Sequence, residues 1–534
     1  MPSASNLLAA ASTLSVLSGV NAALYDQTVK TQYGDIVGYP AFNSSPSGYN
    51  WTNWQDISVF KGVPFAATTA GSNRWKAPQR PEKWNTTLDA SDFGPVCPAA
   101  TSGNNGYTIG EDCLNLNIWT PANSSSEKLP VIMWSYPAES TARDDLFNGG
   151  GMAHKGVVFV NYNYRTGSFG WMSHPELSEE FETVTGHNSS GNWGMLDQFA
   201  ALKWIRENIQ AFGGDPDHIT VMGQSAGSAA TYRILNSPLT KGEIVNAIIE
   251  SGVRDPHDPL AASTAQGYIS LADSLAQGVK FLAYLNVSTI EEARALPYTD
   301  LVTALATLGS TSEWDWDACL DYYAMPSTYY DSLLNGSANQ VPVLTGNTKD
   351  ESGATYGLNI SVATYLQDNE DTYNGTWIQR FFDLYPANNS VEASGAENSQ
   401  WTDRSKVGTY LWTQLWKKAS RQPVYNYFWD HAPPGQTQGA YHESEINYVL
   451  NNLYDTDLPW EAADYKIAET MNDYWVNFAK TGNPNGRGLV HWPAATEIQK
   501  PDVQVIGDSF GQEPVADPAM IALYREYFSG LKTY

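Results

Sequence analysis

The chain has 534 residues and a formal net charge of −27 at pH 7; aromatic residues make up 13% of it and charged residues only 16%. So apolar and aromatic a composition excludes a disordered chain, and the acidity argues against nucleic acid or an anionic membrane surface as a partner. Three cysteines in this length exclude a disulfide scaffold and a cysteine-rich metal site.

The N-terminus differs from the rest. Leu7 to Val20 is small and apolar without a charge, and Val20-Asn21-Ala22 puts small residues where a signal peptidase cuts. This reads as a signal peptide over 1–22, a mature chain over 23–534 and an extracellular destination. The segment is too short and broken to span a bilayer, and no later run holds 18 apolar residues. Asn-x-Ser/Thr sequons at Asn43, Asn50, Asn85, Asn123, Asn188, Asn286, Asn335, Asn359, Asn374 and Asn388 predict a glycosylated surface. An oxidising compartment lets Cys97 and Cys113 pair, which leaves Cys319 as a buried thiol or an intermolecular link.

Short continuous apolar runs predict buried strands at 130–134, 157–161, 219–222, 247–250, 341–344 and 424–428. Between the second and third, Leu196, Phe199, Leu202, Ile205 and Ile209 recur at helical spacing and predict a long amphipathic helix over 192–212. Strands alternating with helices predict an α/β fold with a mostly parallel sheet covered on both faces. The regions 255–340 and 355–420 are more helical and irregular. They read as cap insertions over the carboxyl ends of the strands, where open α/β sheets bind ligands.

Gly223-Gln224-Ser225-Ala226-Gly227 follows the third strand and opens a helix. G-x-S-x-G is weak as a pattern but specific in a strand–turn–helix context. The serine there sits on a sharp turn, and small flanking residues let strand and helix approach. Its hydroxyl is lifted out at a helix N-terminus, where the Ala226 N–H faces a developing oxyanion.

Around this motif the chain resembles the type-B carboxylesterase and cholinesterase-like family of α/β-hydrolases. The matching runs are Phe60 to Phe65, Glu111 to Trp119, Asn192 to Gln198, Phe212 to Pro216 and Phe478 to Asn485. The likeness extends from about Val29 to Tyr527. It implies an α/β-hydrolase domain and a serine ester hydrolase needing no cofactor and no metal. Its partner would be a small-molecule ester, and the many Trp and Tyr suit an apolar or aromatic one.

A serine hydroxyl needs a base, and the base needs an orienting acid. In this fold the order is serine, acid, histidine. After Ser225 the histidines are His257, His431, His442 and His491. His442, in Gly439-Ala440-Tyr441-His442-Glu443-Ser444-Glu445, matches the family's catalytic-histidine segment, and His431 is its rival. Glu351, just past the strand at 341–344, matches the family's acid, with Asp350 as the alternative. Ser251 matches a serine that the family keeps beside the acid; otherwise it is a turn serine.

Three departures stand out. The family's oxyanion loop normally reads His/Tyr-Gly-Gly-Gly after the strand at 130–134, but here the run is Tyr136-Pro137-Ala138-Glu139. Ala138 and Glu139 still carry N–H donors to pair with Ala226. A Glu139 carboxylate there would oppose the charge to be stabilised, and losing one donor costs about 100–1,000-fold in rate. Gly149-Gly150-Gly151 lies too far on to replace the loop and reads as a flexible turn. Cholinesterases hold a cation-binding Trp between the cysteine pair; the loop here has Tyr107 and no Trp, which argues against choline esters. Gln224 stands where the family usually has Glu. The altered loop keeps acyl transfer or ring closure open beside hydrolysis. Three roles in the right order argue against a non-catalytic binder.

Overall fold

A computed structural model describes residues 23–99, 106–262, 267–309, 313–497 and 500–534. The leader expected over 1–22 lies outside these residues. The apolar runs pair into one sheet of eleven strands: β1 (Tyr39–Pro40), β2 (Ser58–Pro64), β3 (Asn115–Thr120), β4 (Leu129–Ser135), β5 (Val158–Tyr162), β6 (Gly214–Gln224), β7 (Asn246–Glu250), β8 (Val343–Thr348), β9 (Val424–Trp429), β10 (Asp502–Ile506) and β11 (Phe510–Pro514). Their order is β11-β10-β9-β8-β7-β6-β4-β5-β3-β2-β1. The centre is parallel from β5 through β4, β6, β7, β8 and β9 to β10. The edges are antiparallel.

Every residue of β5, β7, β8 and β9 is buried. Successive side chains of a strand point to opposite faces, so this burial means that both faces are covered. The covering helices include α1 (Trp193–Asn208), α2 (Ala226–Asn236), α3 (Ser390–Ala419) and α4 (Ala462–Thr481). Helix α2 packs on β6 and β7, α3 on β8 and β9, and α4 on β4.

The register aligns the carboxyl ends of the central strands. Ser135 pairs with Gly223, Gln224 with Glu250, Glu250 with Gly346, and Thr348 with Trp429. The loops after β4, β6, β7, β8 and β9 therefore leave the sheet at one end.

Three sequence readings change. The helix expected over 192–212 is α-helical to Asn208 and then tightens into a 3₁₀ turn over Ile209–Phe212, capped by left-handed Gly213. Gly149-Gly150-Gly151 is not a flexible turn: Gly150–His154 is a short helix. A Cβ on Gly151 would lie 2.3 Å from the carbonyl oxygens of Leu450 and Asn451, so the glycine serves close backbone packing. The region 355–420 is not all cap, because Trp412 and Trp416 of α3 are buried in the main core with the sheet. Cys97 and Cys113 are disulfide-bonded with their Cα atoms 4.9 Å apart, and Cys319 is a buried free thiol.

Candidate active site

Ser225 joins β6 to α2 with φ 54° and ψ −119°, a strained combination for a residue with a side chain. Neighbouring glycines make the turn possible. A Cβ on Gly223 would lie 2.2 Å from the Gly227 carbonyl oxygen, and one on Gly227 would lie 1.9 Å from that of Ser135. The Ser225 amide donates to the Glu250 carbonyl at 3.0 Å, which ties the elbow to the end of β7. Ala226 is the first residue of α2, so its N–H is one that the helix leaves without an internal partner.

Glu351 lies on the turn after β8, and His442 on a loop after β9. Oε2 of Glu351 is 2.5 Å from Nδ1 of His442, and Oε1 accepts from the Thr348 amide at 3.1 Å. The Glu351 side chain is 3% exposed and that of His442 41%, so the acid is sealed while the imidazole keeps an open edge. Burial raises the Glu351 pKa, but its hydrogen bond to His442 and the charges of His442 and Arg254 outweigh burial and hold it below the usual carboxylate value. Burial lowers the His442 pKa, and the Glu351 hydrogen bond and charge reverse this, pushing it up to about 9. The elbow meets the imidazole through Gln224, whose Nε2 stands 3.4 Å from both ring nitrogens.

The rivals have other partners. His431 is 2.6 Å from Asp508 and 2.8 Å from Asp464 through opposite ring nitrogens, which ties the loop after β10 to α4. His257 lies 2.8 Å from Asp255, and His491 is exposed. Asp350 accepts from the Ala440 amide at 2.7 Å through Oδ2, and its own amide donates to the Ala440 carbonyl at 3.0 Å. It thus holds the His442 loop. Ser251 has φ 50° and donates its amide to the Gly346 carbonyl at 2.9 Å; its buried hydroxyl has no hydrogen-bond partner among the described residues.

The loop after β4 keeps a special backbone without its glycines. Tyr136 and Pro137 are buried, while Ala138 and Glu139 are exposed. Glu139 has φ 62°, the left-handed region that glycine favours. Tyr136 stacks on Tyr164 at 4.6 Å, and the Tyr164 hydroxyl donates to the Tyr136 carbonyl at 3.1 Å. This pair anchors the loop root against Gly227, beside Ala226. Burial raises the pKa of Glu443, the residue after His442; the His442 charge opposes this, and the charges of Glu139 and Asp144 add to it.

Sequence reasoning missed Asp350 as the loop's anchor, the Gln224–His442 contact, and two buried acids, Glu250 and Glu445. Both acids sit in runs it had singled out, so the available signal was an acid inside an otherwise buried strand end or beside the histidine.

The carboxylesterase family model matches residues 25–509. The chain is 32% identical to the fumonisin B1 esterase of Sphingopyxis macrogoltabida, over 82% of this chain and 81% of that one. It is 30% identical to the para-nitrobenzyl esterase of Bacillus subtilis (strain 168), over 88% and 93%. A solved PNB esterase structure superposes with a TM-score of 0.72 at 27% identity, covering 93% of this chain and 99% of that one. The chain belongs to the carboxylesterase family and is an ester hydrolase with the α/β-hydrolase fold.

Proposed function

We propose that the protein is a secreted serine carboxylic ester hydrolase that works through an acyl-enzyme on Ser225. The observation that carries this reading is the 2.5 Å contact of Glu351 with His442 at the strand end that also presents the strained Ser225 turn. The Ser225 hydroxyl attacks the ester carbonyl while Nε2 of His442 takes its proton. Glu351 fixes the Nδ1–H tautomer and stabilises the imidazolium. The oxyanion receives the Ala226 N–H, at the positive end of α2, and N–H groups of Ala138 and Glu139. His442 returns the proton to the departing alcohol, and a water, activated by the same imidazole, releases the acid.

Secretion rests on the expected leader, and glycosylation on the sequons. Of the ten sequon asparagines only Asn123 is half-buried; the others are exposed and open to a glycosyltransferase. The aromatic composition favours an apolar or aromatic ester. Pro137 and Glu139 favour a second reading, in which the same three residues transfer the acyl group to an alcohol or amine, or close a ring.

Short-chain aryl esters test this. Turnover by the wild type and its loss in Ser225→Ala support hydrolysis. No turnover, with Ser225 still labelled by an organophosphonate, leaves acyl transfer. No turnover and no labelling leave a binding protein.

A further inference from the structure

Beneath His442 the structure buries more acid than hydrolysis uses. Glu250 ends β7 and is wholly buried. Its Oε1 accepts from Nε1 of Trp475 on α4 at 2.6 Å, and its Oε2 has no hydrogen-bond partner among the described residues. Glu445 follows His442 by three positions and is equally buried, and neither of its carboxyl oxygens has a hydrogen-bond partner among those residues. The buried Tyr427 of β9 lies near Glu250, Glu351 and Glu445, its hydroxyl facing Glu445 without a bond of ordinary geometry. Oε1 of Gln224 is also buried and unpaired. Strands β6, β7 and β9, helix α4 and the His442 loop thus close around one polar cluster.

A carboxylate out of water needs several donors or a cation. Glu250 has one donor, and Glu445 has the weak help of its own amide. The cations nearby face Glu351 rather than the pair: His442 lies against Glu351, and Arg254 donates to Ser352 and acts through its charge on Glu351, its Nη1 being buried without a hydrogen-bond partner among the described residues. Glu351, Glu443 and Glu445 all act on one imidazole, with Glu250 acting on Glu445, and in a low dielectric these carboxyls cannot all be ionised. We propose that Glu250 and Glu445 form a buried pair of neutral carboxylic acids that acts as a positioning element for His442, leaving Glu351 as the anion bonded to Nδ1 that sets its tautomer, with Glu443 at the half-buried rim.

Burial pushes Glu250 up to about 8 and, together with the charges of Glu250 and Glu351, raises Glu445 well above the carboxylate range. The two titrate as a pair. Negative charge enters the cluster only as the pH passes about 8, where it holds the imidazolium more tightly and withdraws the base.

The inference rests on the reading of His442 and Glu351 above, so its test includes measurements that need no turnover. Glu250→Gln and Glu445→Gln keep the shape of the neutral acid and cannot ionise. In the full-length wild type, difference infrared spectroscopy at neutral pH should show a protonated carboxyl band that each variant weakens. A carboxyl raised by folding is fully tolerated below its ordinary value of 4.5 and costs stability as pH climbs to about 8. The variants should therefore gain melting temperature over the wild type across that window. Their kcat/KM near neutrality should stay close to wild type, while its half-maximal pH falls, because no second anion builds up beside the imidazole. A wild type without the infrared band overturns the neutral pair. The band with an unchanged half-maximal pH in both variants overturns the positioning role. If Glu445→Gln does not fold, Glu250→Gln and the wild-type infrared titration decide between the same outcomes. A chain that shows the band but hydrolyses no ester refutes the positioning role along with the hydrolase reading, and leaves the acid pair.

Discussion

Oε2 of Glu351 stands 2.5 Å from Nδ1 of His442, and the two titrate in opposite directions because of it: the carboxyl is held down and the imidazole pushed up to about 9. In the proposed mechanism only the neutral imidazole can accept the Ser225 proton. The kcat/KM profile of the wild type should accordingly rise towards an alkaline midpoint near 9 rather than the ordinary 6.5. Stability runs the other way. An imidazole raised by folding contributes fully below 6.5, and its contribution is lost as pH rises through about 9. Glu351→Gln removes the anion, so the midpoint should move back towards the ordinary value. It also loses tautomer control, so kcat should drop by about 10⁴-fold, as for the equivalent change in a serine protease. A pH–rate series on both proteins checks both shifts; an unmoved midpoint in the variant would show that Glu351 does not set the base.

Glu139 combines a left-handed φ of 62° with a carboxylate on the proposed oxyanion loop. A non-glycine residue pays about 1–2 kcal/mol for that conformation. Glu139→Gly should raise the melting temperature, since strain relief exceeds the added freedom of the unfolded chain. It should also raise kcat, because a nearby carboxylate opposes the oxyanion; for an exposed charge about 1 kcal/mol is at stake, or about fivefold. Glu139→Gln separates the effects. It should share the gain in kcat and show no gain in stability.

Much of this site can be read in the chain because its parts are local. The elbow needs glycines on both sides of Ser225, and buried strands show as continuous apolar runs. What the chain hides is set by contacts between distant segments. Glu351 and Asp350 are adjacent acids after one strand; resemblance alone favours Glu351 in the sequence, and the approach of the loop at 440–442 shows that it faces the imidazole while Asp350 holds the loop's backbone. The Gly149–Gly151 run looks flexible until its packing on Leu450 and Asn451 is seen. Strands β1 and β11 escape the apolar-run pattern because they are short or polar and owe their existence to pairing. Glu250 sits in an apolar run that local pattern assigns to the core, and nothing local says that a second acid, Glu445, will be buried with it.

Asp350 gives a sharper test of that division of labour. Its Oδ2 accepts from the Ala440 amide at 2.7 Å, and the two backbones pair at Asp350 N and Ala440 O. Asp350→Ala leaves a backbone N–H without its partner, which costs about 1–3 kcal/mol. The His442 loop should loosen, so kcat falls by about tenfold or more while KM changes little, as expected when a base is mispositioned rather than removed. Because Asp350 is not the partner of the imidazole, the pH midpoint should stay where it is in the wild type. A midpoint shift as large as that of Glu351→Gln would reverse the assignment of the two acids.

The disulfide closes a loop with a sequence separation of 16 between Cys97 and Cys113. In the chain-entropy model, a loop of about this length stabilises the fold by about 3 kcal/mol, because the cross-link restricts the unfolded chain. The bridged segment holds Glu111, whose carboxylate makes a buried two-point ion pair with Arg74 at 2.6 and 2.7 Å. It also holds Tyr107, with the Arg143 guanidinium 4.5 Å above its ring. Opening the bridge therefore loosens a segment that is packed against two cations, one of them four positions past Glu139. The Cys97→Ser/Cys113→Ser double variant should unfold at lower denaturant and lose activity faster on heating. Its kcat/KM at moderate temperature should stay within a few-fold of wild type, since neither cysteine touches Ser225, His442 or Glu351. Equal thermal inactivation half-lives for the two proteins would show that the ion pair and the Tyr107–Arg143 contact hold the segment without the bridge.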